Sequence, residues 1–182
     1  MSTFNVPKRE EVSENNQAIF DNLEKAVGFV PNLYATYAHS ENALENYLNL
    51  SNAKTSLNAK QKEVVNLAVS QVNNCVYCLS AHTAIGKMNG FSDSEILELR
   101  TGAASFDSKL DALARLAKNL TETRGATENT VIENFFNQGW TKENLIDIIV
   151  LVGDKPISNY LHKTTDVPVD FPVAQPLEAV EV

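Results

Sequence analysis

The chain has 182 residues, 43% of them apolar, enough for one domain with a full hydrophobic core and ordinary for a soluble globular protein. Its formal net charge of −8 repels phosphate backbones and anionic lipid, which argues against nucleic acid and membrane surfaces as partners. The N-terminus MSTFNVPKREEVSENNQ carries no apolar signal-like core, no run approaches the ~20 apolar residues that span a bilayer, and two cysteines cannot staple a secreted scaffold. The expectation is a cytoplasmic protein whose cysteine pair is reactive or metal-binding.

Helical periodicity dominates, and no alternating β-branched run is bounded by turn signals, so the chain reads as all-α. The expected organisation is a single-domain helical bundle over residues 1–164, with its redox core at about 41–125, and an extended C-terminal tail at 165–182. A first helix is predicted from about Glu10 to Ala26, with Ile19, Phe20, Leu23 and Val27 on its apolar side and Gly28 as terminator. Pro31 suits the first turn of a short helix ending at Tyr37. Glu41 to Lys54 follows, packing through Leu44, Tyr47, Leu48 and Leu50.

Asn58 with Gln61 three residues later forms a capping-box pattern that opens a helix carrying Val64, Val65, Leu67, Ala68, Val69 and Val72. Asn73 and Asn74 break that helix and are expected to cap the next, from Cys75 to about Asn89, with Gly90 as its stop. Ser92 with Glu95 begins a short helix through Leu99. A longer one, from about Asp107 to Thr123, presents Leu110, Leu113, Leu116, Ala117 and Leu120 at three- and four-residue spacing before Gly125. Glu128 to Gln138 and Lys142 to about Lys163 complete the set. Pro156 is expected to kink or split the last, because proline removes one ladder bond and crowds the preceding turn. The tail TTDVPVDFPVAQPLEAVEV has three prolines and no helical period, the mark of a segment that frays or packs on a neighbouring subunit.

Chemistry concentrates in Asn74-Cys75-Val76-Tyr77-Cys78-Leu79-Ser80-Ala81-His82. At about 100 degrees per residue, positions 75, 78 and 82 fall within roughly 60 degrees of one another around a helix. Thiols react through their thiolates, so His82, four residues beyond Cys78, is placed as its base. Cys75 is favoured differently, by the helix N-terminus. Two cysteines three apart can close a disulfide, so a sulfenic acid on one is resolved by the other, which is a peroxidase half-cycle. The residues alone leave open which cysteine attacks. Glu63, near the start of the preceding helix, would reach His82 across a helical hairpin and orient its ring.

Glu63, eleven residues, Cys75-x-x-Cys78, three residues and His82 together resemble the pattern of the alkylhydroperoxidase D-like and carboxymuconolactone decarboxylase-like superfamily, in its peroxidase-related branch. The likeness centres on NLAVSQVNNCVYCLSAHTAIGKMNG and extends to FVPNLYATYAHSENALENYLNL and the segment ending VPVDFP, so it covers most of the chain. It implies an all-α fold, a homo-oligomer such as a trimer or hexamer, and hydroperoxide reduction recycled by a protein or small-molecule thiol reductant without metal or organic cofactor. It further implies Cys78 as peroxidatic thiol, Cys75 as resolving thiol facing the reductant, and His82 with Glu63 as proton relay. Where well-known members carry a histidine between the cysteines this chain has Tyr77, an auxiliary candidate that packs or donates one hydrogen bond.

Other readings weigh against this one. Cys75 and Cys78 could be buried small hydrophobes, or zinc ligands with His82. The scaffold could process a lactone or act as a decarboxylase, or the dithiol could serve a non-enzymatic redox sensor. His39 and His162 read as surface or partner-facing residues, and Trp140 with Phe135 and Phe136 as core or interface anchors.

Overall fold

A computed structural model describes residues 4–177. It is all-α: among the described residues there are nine α-helices, one short 3-10 turn and no strand. In chain order the helices are α1 (Glu14–Val27), α2 (Asn32–Tyr37), α3 (Ala43–Ser51), α4 (Ala59–Val72), α5 (Val76–Met88), α6 (Asp93–Thr101), α7 (Ser108–Glu122), α8 (Asn129–Asn137) and α9 (Lys142–Thr165). None is long and apolar enough to cross a membrane.

Internal contacts divide the described chain into two compact units, residues 4–54 with 160–170, and residues 55–159 with 171–177. In the first, Leu33, Leu44 and Phe20 are buried, and Tyr37 stacks on Tyr47 with ring centroids 4.5 Å apart. Its first helix starts later than the periodicity suggests. Arg9–Glu11 forms a separate 3-10 turn, and Ser13 caps α1 by accepting the Asn16 N–H. Pro31 precedes α2 but has no side-chain acceptor, and Asp170 supplies one instead, taking the Asn32 N–H at 2.6 Å.

The second unit is built around α4. Val64, Val65, Leu67, Ala68 and Val69 are all fully buried, so this helix is covered on every side, packed by α5, α6 and α7. Its start is the predicted capping box, with Asn58 and Gln61 bonding each other's backbone N–H at 2.9 Å. Leu113 and Leu116 of α7 meet α4 in the same core, and α8 adds Phe135, whose ring stacks on Trp140 at 5.4 Å. The Trp140 indole N–H donates to the Lys109 carbonyl, so these aromatics are core anchors.

Three expectations are corrected. Pro156 does not split the last helix, because a single missing N–H leaves the ladder of a 24-residue helix intact on both sides. His162 is buried rather than on the surface, with Nε2 3.2 Å from the Val167 carbonyl, and desolvation lowers its pKa. His39 is exposed, as expected, beside the Asn5 carbonyl and the Phe4 ring. The tail does not fray over its described length. Val167 and Ala174 are buried, Asn32 Nδ2 donates to the Pro168 carbonyl, the Ala174 N–H donates to Ser80 Oγ, and Arg100 donates to the Gln175 carbonyl. Residues 178–182 lie outside the described residues.

Candidate active site

The site sits where α4 turns back into α5. The turn is a Schellman motif: the Asn74 N–H bonds the Gln71 carbonyl and the Cys75 N–H bonds the Ser70 carbonyl. Asn74 takes the left-handed conformation at φ 51°, which asparagine tolerates better than most residues. The predicted cap moves by one residue, because the N-cap of α5 is Cys75 rather than an asparagine. Its sulfur accepts the Cys78 backbone N–H at 3.4 Å, a task usually left to oxygen side chains. This turns Cys75 inward and leaves it fully buried.

Both cysteines are free thiols, with Cys78 only 4% exposed and the two sulfurs 2.8 Å apart. Their protons are unequally held. The hydrogen bond from Cys75 is the largest influence on Cys78 and outweighs burial; with the charges of His82 and Lys155 and the Asn159 amide, it brings that thiol down to about 6. The same bond pushes Cys75 far above the ordinary thiol range, with burial and the neighbouring charge acting in the same direction. The bond therefore favours the thiolate at Cys78 and the thiol at Cys75.

Glu63 reaches across the hairpin to His82, Oε2 to Nδ1 at 2.8 Å, both largely buried. Burial alone would raise the Glu63 carboxyl, but His82, the Asn66 amide on Oε1 at 2.8 Å and the Lys155 charge together hold it below the usual carboxylate range. With Nδ1 occupied by the carboxylate, Nε2 is the ring atom left for chemistry. Tyr77, between the cysteines, is buried and meets Phe171 edge-on at 5.7 Å. Among the described residues no group of three or more His, Cys, Asp and Glu side chains converges as a metal site would require.

The opposite wall was missed by sequence reading. It is the polar stretch of α9, where Asp154, Lys155, Ser158 and Asn159 are all buried. Lys155 Nζ lies 3.1 Å from Asp154 Oδ2, Ser158 Oγ is 3.9 Å from Cys78 Sγ, and Asn159 Oδ1 accepts from Asn73 at 2.8 Å. The available signal was polar residues at one-, three- and four-residue steps interrupting an otherwise apolar helix, next to Pro156.

Fold and site together define a helical hairpin dithiol protein. Residues 38–119 match the Carboxymuconolactone decarboxylase family model. The chain is similar to a peroxidase-related protein with an alkylhydroperoxidase AhpD core from Ralstonia eutropha JMP134, at 20% identity and TM-score 0.83, covering 93% of this chain and 92% of that one. A peroxidase-related protein from Silicibacter sp. TM1040 aligns at 21% identity and TM-score 0.80 over 92% and 91% of the two chains. The debrominase Bmp8, as a cysteine-to-alanine variant in complex with 2,3,4-tribromopyrrole, aligns at 14% identity and TM-score 0.77 over 93% and 94%. Comparison with curated proteins finds no significant match. The family match spans residues 38–119, and the fold over nearly the whole chain is that of these peroxidase-related structures.

Proposed function

We propose that the protein is a thiol-dependent hydroperoxide reductase. The observation that carries this reading is the buried dithiol, with Cys75 Sγ 2.8 Å from Cys78 Sγ as its hydrogen-bond donor, an arrangement that favours the Cys78 thiolate. Cys78 attacks the terminal peroxide oxygen, the O–O bond breaks, and the departing alkoxide takes a proton from the His82 side of the site. Sulfur is oxidised to sulfenic acid and the peroxide reduced to an alcohol. Cys75 then attacks the sulfenic sulfur, a disulfide forms and water leaves. An external dithiol restores both thiols by exchange.

Glu63 orients His82 and balances its charge, and Tyr77 serves as packing against Phe171. No step calls on a metal or organic cofactor. A homo-oligomer, trimer or hexamer, fits the apolar stripe that Ile146, Ile149, Val150 and Ile157 leave exposed along α9. The test is consumption of hydrogen peroxide and cumene hydroperoxide with dithiothreitol as donor. Turnover that vanishes in Cys78→Ser supports the reading; turnover equal to that variant's counts against it.

The Bmp8 likeness favours a second reading of the same dithiol, reductive removal of a halide, in which two thiols supply two electrons and become a disulfide. Bromide release from a brominated pyrrole, with no hydroperoxide consumption, would favour it. Decarboxylase or lactone chemistry would survive loss of both cysteines. A redox sensor would show slow turnover with an oxidation-dependent change in assembly.

A further inference from the structure

We propose that Asn159 is a further catalytic residue, whose carboxamide NH2 binds the oxygen that Cys78 takes from the hydroperoxide. This rests on the peroxidase reading and adds a substrate-binding group to it. Asn159 is fully buried. Its Oδ1 is pinned by the Asn73 amide at 2.8 Å, which fixes the opposite end of the carboxamide as the donor. That Nδ2 has no oxygen or nitrogen hydrogen-bond partner among the described residues.

A buried amide donor without an oxygen acceptor is costly, and is found mainly where a ligand or functional group completes the bond. The neighbouring Ser158 hydroxyl is 3.9 Å from Cys78 Sγ, so this turn of α9 lies against the reacting sulfur. The Asn159 amide favours the thiolate of each cysteine by side-chain hydrogen bonding, so the sulfurs are the acceptors it faces. Lys155, one turn earlier and also buried, adds positive potential at Cys78.

Chemistry needs a donor at this place. As the thiolate forms its S–O bond and the O–O bond breaks, negative charge spreads over both peroxide oxygens. The Nδ2 hydrogens donate to the terminal oxygen that becomes the sulfenic oxygen, while the leaving alkoxide collects its proton on the His82 side. The fixed amide pays no reorganisation as the charge develops. When Cys75 closes the disulfide, that oxygen departs as water and the donor is released.

The experiment compares two electrophiles on the full chain, each above the variant's own thiolate midpoint so that ionisation is equal. Hydrogen peroxide needs the oxygen donor, whereas iodoacetamide reports thiolate nucleophilicity alone. Asn159→Leu is expected to slow oxidation by peroxide about 10²-fold, with alkylation within about twofold of wild type. Asn73→Ala, which unpins Oδ1, is expected to slow peroxide alone by about tenfold. Equal loss with both reagents, or no loss with peroxide, overturns the proposal. Should Asn159→Leu fail to fold, Asn73→Ala decides the matter by the same criterion. A wild-type protein that reacts with iodoacetamide but not with peroxide overturns the peroxidase reading itself, a result distinct from any difference between variants.

Discussion

Replacing Cys75 with alanine removes the strongest influence holding Cys78 in its thiolate form. In the intact protein Cys78 lies at about 6 against an ordinary value of 9.0, and at ~1.36 kcal/mol per pH unit that gap is ~4 kcal/mol, net of burial acting the other way. With Cys75 gone, burial remains while only His82, Asn159 and Lys155 oppose it, so the midpoint is predicted to rise by more than about one pH unit. Cys75→Ser keeps an O–H donor and an N-cap acceptor and should fall between alanine and wild type. At pH 7 the thiolate fraction should drop from roughly nine in ten to under about half in the alanine variant. Thiolate absorbance near the ultraviolet edge and the pH profile of iodoacetamide alkylation both read this midpoint. A midpoint that stays near 6 in Cys75→Ala, or a wild-type midpoint of about 8 or higher, would refute the reasoning.

Stability should follow the same titration. The Cys78 thiol is depressed in the fold, so its contribution is fully present above pH ~9 and is lost as pH falls through ~6; urea unfolding should show stability declining across that window in wild type and less steeply in Cys78→Ser. Glu63→Gln removes the charge that orients His82 while keeping the shape that Asn66 contacts, and the peroxide step is expected to slow by about 10- to 10²-fold without loss of fold, measured by stopped-flow. Asn74→Val forces a β-branched residue into the left-handed position and should cost about 1–2 kcal/mol, whereas Asn74→Gly should be near neutral, both by urea unfolding. Leu113→Ala opens a void between α7 and α4 where the side chain is fully buried, and is expected to destabilise by about 2–5 kcal/mol in the same assay.

What was legible in the sequence was what short-range rules control. The Asn58 and Ser92 capping boxes, the all-round apolar α4 and the Glu63–His82 approach all follow from spacing within one helix or across one hairpin turn. The Cys75 cap escaped notice because a sulfur replaces the oxygen that capping patterns look for. Lys155, Ser158 and Asn159 meet the thiols from about 80 residues away, a separation at which periodicity carries no information. Burial of the tail depends in the same way on distant partners: Asp170 gains its partner from α2 and Ala174 from Ser80 of α5. In the tail, prolines that exclude a helix do not exclude tight packing, since backbone N–H groups between them can still bond to side chains.

The central claim is that one hydroperoxide molecule consumes both thiols of one chain. Intact mass and free-thiol count after one equivalent of hydrogen peroxide test it directly. The account predicts loss of both thiols, a mass decrease of about 2 Da and a Cys75–Cys78 disulfide, with no accumulation of sulfinic acid. Retention of two free thiols and an unchanged mass would contradict it.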